Sequence, residues 1–426
     1  MIVIKKYHYV IAVLILVAAV FLAMKSTAGR EKNAEPSAAE NSVEVVFPST
    51  APEQEDSNAA ETTAKAEEPL VGVWIPYMAL DVTEKTEEAF KENFDAKLAA
   101  AKGVGANAVF VHVRPFADSL YPSEYESWSH LLTGMQGKDP GYDPMEYMVN
   151  AAHEQNMQFH AWINPLRIAS TTIPPELDEN GFYMQNYVNH PEYFMAYNSG
   201  IYYNPASAYI RNRIADGAAE IAEKYDVDGI HFDDYFYPTT DPAFDAADYA
   251  ASGSTRTQDD WRRENVNALM ELCHAAARRY GVRFGAAPAG DPEQNYTLQY
   301  SDAARWLRQG TVDYLMPQLY WGQEYIKNGD ASHSFAQLAA AWAALPRAAG
   351  VKLYAGLGAY RVGAGDGSDA GSEWFSGHAL ADQLALLARL GVQGAGLYRY
   401  GSLFANSGAP ALAESEAEAI KGVWQG

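Results

Sequence analysis

A (β/α)8 TIM barrel of the α/β class, with long insertions at the carboxyl face of its sheet, is the fold that this 426-residue sequence predicts. Three observations carry the prediction. A unit of helix-like pattern, short turn and β-prone run recurs along the chain. Glycines stand at many of the turns that lead from helix to strand. The segments that leave the β-prone runs are far longer than those that enter them. Alternating strand and helix implies a parallel sheet, and eight alternations imply its closure into a barrel.

The β-prone runs are residues 72–77, 108–113, 158–163, 229–232, 282–287, 313–316, 351–357 and 394–398. Helical patterns at 87–102, 207–224, 259–280, 335–345 and 378–390 lie between them. Gly103, Gly281, Gly310, Gly350 and Gly391 fall near helix ends, where a positive φ is often required. The long segments 114–143, 165–206 and 235–258 all emerge at the carboxyl ends of strands, the face on which barrel enzymes bind substrate.

Ahead of the barrel, Lys5 and Lys6 precede an apolar run at 9–24, close to the lower limit of about 17 residues for a membrane span. Ser26-Thr27-Ala28 resembles a cleavage site, but Lys25 interrupts it and no Cys follows for lipidation. The expectation is export with an uncleaved signal anchor at 1–28, and a secreted form if the segment is cleaved. Residues 29–69, rich in Ala, Glu, Ser, Thr and Pro, read as a disordered linker, and residues 70–426 as the barrel domain. A net charge of -23, with no run of clustered Lys and Arg beyond the first residues, opposes polyanion recognition, and no nucleic-acid partner is expected. The single cysteine, Cys273, excludes an intrachain disulfide and reads as a packed core thiol.

The stretch 225–238 is the most informative for function. It sets Asp233 and Asp234 at the carboxyl end of the fourth run, between His231 and Tyr235. Paired carboxylates among aromatic faces are what a carbohydrate site needs, with flat C–H patches to stack on and a bond to protonate. Strand alternation sends His231 inward with Asp233, His112 with Arg114, and His160 with Trp162 and Asn164. Three histidines on neighbouring strands invite a zinc reading, but a hydrogen-bonded polar layer beneath a sugar site is preferred, with no metal or cofactor expected. The later strand ends add Gln318, Tyr320, Trp321, Tyr398 and Arg399 as binding groups, and the first strand adds Trp74. Arg114 and Arg399 are suited either to a carboxylate on the ligand or to keeping the acidic pair ionised. Tyr121, Trp128, Tyr183, Tyr187, Tyr193, Phe194, Tyr202 and Tyr203 on the two largest insertions would form a stacking platform, or else pack the loops onto the barrel rim.

Taken together, Gly72-Val73-Trp74, His112-Val113-Arg114-Pro115, the run 159–165, Asp228-Gly229-Ile230-His231-Phe232-Asp233-Asp234-Tyr235 and Pro317-Gln318-Leu319-Tyr320-Trp321 resemble glycosyl hydrolase-like family 10, a family of bacterial envelope glycosidases. The resemblance implies a β/α barrel with a groove for peptidoglycan glycan strands, cleaved after their stem peptides have been removed. It also implies cell-division or wall-remodelling proteins as partners. Here the apparent anchor replaces the lipid-modified Cys of related members. Two carboxyl groups normally act in glycoside hydrolysis. Adjacent Asp residues can cooperate when a 2-acetamido group on the substrate is itself the nucleophile, and the alternative pairs one of them with a loop acid such as Asp118, Asp291 or Glu324. A non-catalytic wall-glycan receptor and a metal-dependent deacetylase or amidase on the same polymer are the competing functions.

Overall fold

The computed structural model describes residues 68–425. The expected anchor and all but the last two residues of the expected linker lie outside the described residues. Among the described residues no helix is long and apolar enough to cross a membrane.

Eight parallel strands close into a ring. They are β1 (Leu70–Ile75), β2 (Ala108–Arg114), β3 (Gln158–Ile163), β4 (Gly229–Phe232), β5 (Arg283–Ala286), β6 in two pieces (Tyr314–Leu315 and Gln318–Leu319), β7 in two pieces (Lys352–Leu353 and Ala355–Leu357) and β8 (Gly394–Leu397). Each strand pairs with the next, and β8 returns to β1 with Leu70 opposite Gly394. β6 reaches further than the expected 313–316, and its break falls at Met316-Pro317, where proline has no N–H for the ladder.

One principal helix follows each strand: α1 (Glu87–Gly103), α2 (Pro144–Glu154), α3 (Ala208–Lys224), α4 (Gln258–Arg278), α5 (Ala303–Gln309), α6 (Phe335–Ala344), α7 (Ala379–Arg389) and α8 (Pro410–Gln425). Six begin on a side chain that accepts a backbone N–H of the first turn: Thr86, Asp143, Ser207, Thr257, Asp302 and Ser334. Four of the five expected turn glycines have positive φ. Gly103 instead ends α1 in helical conformation, and Gly105 takes the left-handed position.

Outward side chains of the sheet, such as Val73, Val109, Val111, Phe159, Ile230 and Phe232, join Phe94, Met148, Ile214 and Leu269 of the helices in the main core. Cys273 of α4 is buried there too, and burial pushes its thiol up. The inward side chains form a second cluster of large rings, with Leu70, Trp74, Phe110, Trp162, Tyr314 and Tyr354. Those rings fit because neighbouring inward positions are glycines. A Cβ built at Gly229 overlaps the ring of His160, one at Gly285 overlaps Tyr314, and one at Gly396 overlaps Met316 and Trp74. Gly229→Ala is therefore expected to destabilise the barrel by roughly 1–3 kcal/mol, the usual range for overpacking. A shift in the urea midpoint measures it, and an unchanged midpoint would show that the layer can yield.

The pairing of β2 with β3 slips once. His112 opposes Trp162, but Arg114 opposes Ile163. After this bulge Val113 lies in the outer core and Arg114 turns outward, its Nη2 2.7 Å from Glu126 Oε1 and its Nη1 3.5 Å from a Cβ built at Gly217 of α3. Strand parity had placed Arg114 on the axis with His112. The bulge corrects that, and Arg114 is a buried structural cation between sheet and helices.

Candidate active site

β4 delivers His231 to the barrel interior and Asp233 to its mouth. Asp233, 6% exposed, accepts hydrogen bonds from Trp162 Nε1 at 3.2 Å, Asn164 Nδ2 at 3.1 Å and the backbone N–H of Tyr235 at 3.2 Å. Burial, and then the charge of Asp234, push its carboxyl up to about 7, against the pull of Arg167 and of these donors. Asp234 accepts from Gln299 Nε2 at 2.9 Å. Burial raises its carboxyl also, while the amides of Gln299 and Gln318 oppose the rise.

The two acids line a cavity of about 140 Å³ with Trp74, Trp162, Tyr235, Ala287, Gln318, Tyr320 and Tyr398. Tyr320 and Tyr398 stack at 5.4 Å, and Trp74 meets Tyr398 edge-on at 5.9 Å, so one wall and the floor are aromatic. Gln318 is held by its Nε2 to the Ala287 carbonyl at 2.8 Å. Tyr235, 58% exposed, stands at the entrance.

Beneath the floor runs a polar chain with a single consistent direction. Trp74 Nε1–H donates to His231 Nε2 at 3.2 Å, which leaves the proton of His231 on Nδ1, facing the Tyr314 oxygen at 3.2 Å. Tyr314 in turn faces His160 Nδ1 at 2.9 Å, and His160 Nε2 donates to Gln158 Oε1, which also accepts from Arg283 Nη2 at 2.8 Å. Burial holds His231 down at about 3 and His160 well below the usual imidazole range, so both are neutral. The third histidine does not join them. His112 stacks on Trp162 at 3.8 Å with 10° between the planes, and neither of its nitrogens has a hydrogen-bond partner among the described residues. No group of three or more His, Cys, Asp or Glu side chains among the described residues is arranged to hold a metal ion.

Of the residues expected at the site, Trp74, Trp162, Asp233, Asp234, Tyr235, Gln318, Tyr320 and Tyr398 line the cavity, Asn164 holds Asp233, and His231 and His112 lie against cavity-lining tryptophans. Three expected residues are elsewhere. Arg114 is outside the barrel, Trp321 packs toward Gly290 and His333, and the Arg399 guanidinium reaches Met78 Sδ at 2.9 Å. The alternative loop acids do not line the cavity. Asp118 is fully buried beside His130, Asp291 caps a short helix and pairs with His333, and Glu324 lines a separate acidic hollow. On the insertions, Tyr121 and Tyr203 are core residues, while Tyr193 stacks on Tyr209 at 4.6 Å and Tyr183 on Tyr187 at 5.3 Å. Tyr187 and Tyr209 are exposed, so the insertion carries stacked rings at its surface as well as rings that pack it onto the barrel.

Two residues beside the acids escape a reading of strand ends. Gln299 comes from the loop after a short helix, with no local pattern to mark it. Arg167 follows Asn164-Pro165-Leu166 and is the first cation beyond β3, a position that counting past the strand end would have found.

The sequence profile described as Glycosyl hydrolase-like 10 matches residues 69–376. Glycosyl hydrolase YngK of Bacillus subtilis is 36% identical over 313 residues, which are 68% of this chain and 58% of YngK's own length. Glycosyl hydrolase DigH of Escherichia coli K12 is 31% identical over 338 residues, 71% of this chain and 76% of DigH. Among solved structures, the glycoside hydrolase domain of PgaB (BpsB) from Bordetella bronchiseptica superposes with a TM-score of 0.53 at 14% identity, covering 84% of this chain and 99% of that one. The catalytic domain of β-amylase from Paenibacillus polymyxa gives 0.52 at 14% identity, with coverages of 84% and 99%. Likeness at that identity speaks for the barrel alone.

Proposed function

The chain belongs to the glycosyl hydrolase-like 10 family, and from that premise we propose that it hydrolyses O-glycosidic bonds in strands of 2-acetamido sugars, with peptide-stripped peptidoglycan as its substrate. The observation that carries the reading is the pair Asp233 and Asp234 in an aromatic cavity, one of them held close to neutrality by burial and by the other's charge.

In this reading Asp233 is the proton donor, since a general acid works best with a pKa near the operating pH. Asp234, supported by the amides of Gln299 and Gln318, stays ionised and accepts the N–H of the sugar's 2-acetamido group. The acetamido oxygen bonds to C1 as the C1–O bond to the leaving sugar breaks, and the Asp233 proton goes to that leaving oxygen. Water then attacks C1 and gives a proton back to Asp233, with net retention at the anomeric carbon. Adjacent carboxyls suit this division of labour because the substrate supplies the nucleophile. Trp74, Trp162, Tyr320 and Tyr398 would stack against the sugar's C–H faces. An exported barrel tethered by the 1–28 segment belongs to the same proposal, as do wall-remodelling partners.

The test is to incubate the protein with intact and with peptide-stripped peptidoglycan at matched glycan concentration and analyse the products by mass spectrometry. New reducing ends are expected, formed at least about tenfold faster from stripped strands, a difference of roughly 1.4 kcal/mol in transition-state binding. Binding without new reducing ends would favour a glycan receptor, and release of acetate or peptide would favour a deacetylase or amidase. Equal rates on the two substrates would remove the preference for stripped strands and leave the glycosidase standing.

A further inference from the structure

We infer that Arg167 recognises the carboxylate which peptide removal exposes on the lactyl ether of each muramic acid, and that this contact selects stripped strands. The inference rests on the glycosidase reading of the same cavity and adds to it the source of its specificity.

Arg167 begins a small antiparallel sheet in the insertion after β3, where Arg167–Ala169 pairs with Gly200–Tyr203. Its backbone N–H is fixed by Asn164 Oδ1 at 3.0 Å, the same Asn164 that donates to Asp233. Its Nε donates to the Pro115 carbonyl at 3.2 Å, and the guanidinium carbon lies 4.4 Å from the Phe116 ring centroid and 5.3 Å from that of Tyr235. Backbone and rings thus hold the group in place, while its two terminal amino groups have no hydrogen-bond partner among the described residues. Among the described residues no carboxylate lies within ion-pair distance of it, although the chain carries a net charge of -23. The fully buried arginines behave otherwise, Arg114 pairing with Glu126 and Arg262 with Asp245.

An uncommitted guanidinium fork is the group that matches a carboxylate bidentately. Its place is at the mouth of the cavity, since it lies against the ring of Tyr235, which lines the cavity with Asp233, and its backbone is held by the same Asn164 that donates to Asp233. A stem peptide joins the lactyl group through a neutral amide, which offers the fork no anion. Amidase action converts that amide to a carboxylate on every second sugar. Selection of stripped strands would then follow from attraction to the new charge, even in a groove wide enough to admit a peptide.

The experiment compares stripped strands with the same strands after their lactyl carboxyls are converted to primary amides, using wild-type protein and Arg167→Gln. For the wild type, amidation is expected to lower kcat/KM about tenfold, mainly through KM. Arg167→Gln should lose a similar factor on stripped strands and no longer distinguish the two substrates, and Arg167→Lys should restore part of the distinction. If Arg167→Gln lowers both substrates equally, the residue acts only through the charge of Asp233, and the inference is overturned. It is overturned also if the variant keeps the wild-type ratio. Should wild-type protein cleave neither substrate, the hydrolase reading fails on its own account. The ratio of equilibrium binding constants for the two strands, read by tryptophan fluorescence, then decides the contact: about tenfold supports it and unity overturns it.

Discussion

Asp233→Asn is expected to lower hydrolysis of glycan strands by roughly 10²–10⁴-fold, the usual contribution of general acid catalysis, while the fold and glycan binding persist. The choice of Asp233 over Asp234 as the proton donor is tested by the leaving group. An aryl glycoside whose phenolate departs without protonation should still be cleaved by Asp233→Asn, whereas Asp234→Asn should lose both substrates. The reverse pattern would exchange the two roles, and wild-type turnover in both variants would remove catalysis from the end of β4. Since the carboxyl lies at about 7, activity that depends on its proton should decline as pH rises through that value. Stability carries the same signature. A carboxyl whose folded pKa is raised contributes fully below its unfolded value near 3.8, and that contribution is lost progressively as pH rises to about 7. Asn cannot ionise, so the variant should melt above the wild type at pH 8, with the gap closing toward pH 4. The displacement sets an upper limit of about 4 kcal/mol on the effect. Melting curves at the two pH values measure it, and a variant that melts lower at pH 8 would contradict a buried, proton-holding Asp233.

Arg114→Met is expected to destabilise the protein by about 3–5 kcal/mol, because it strands a buried carboxylate. The Arg114 and Glu126 side chains are 0% and 2% exposed and meet at 2.7 Å. Among the described residues the Glu126 carboxylate has only Tyr203 Oη at 3.3 Å and Arg213 at 3.8 Å as further support. Glu126→Leu alone should be similarly damaging, while the double variant should recover part of the loss because no unpaired charge remains. Urea unfolding of the three variants measures this. A stable Arg114→Met with a raised KM would return Arg114 to the substrate site.

The contrast between Arg114 and Asp233 shows how far the sequence is legible. β3 and β4 have the boundaries their residues predict, since each is a short β-prone run bounded by turn residues, and β4 carries its acids to the mouth by simple alternation. The same alternation misplaces Arg114 because a bulge intervenes, and nothing in His112-Val113-Arg114 marks it, with neither Gly nor Pro at the slip. At β6, Gln318 and Tyr320 face the cavity as alternation requires, but one residue later Trp321 turns into space left open by Gly290, a contact distant in sequence. Arg167 and Gln299 reach the acids along loops, where no periodicity tells which side chain returns to the barrel.

The one-way run of donors from Trp74 through His231, Tyr314 and His160 to Gln158 has a consequence for how this protein can change over generations. Each member fixes which atom of the next carries hydrogen, so the chain has a polarity that cannot be reversed at one link alone. Tyr314→Phe would leave a lone pair on His160 and an N–H on His231 with no counterpart, and only a compensating replacement of both imidazoles would mend the fault. The members of the run are therefore constrained as a set, Trp74 among them although it also lines the cavity, whereas the wall residues outside the run, such as Tyr320 and Tyr398, are not bound by it.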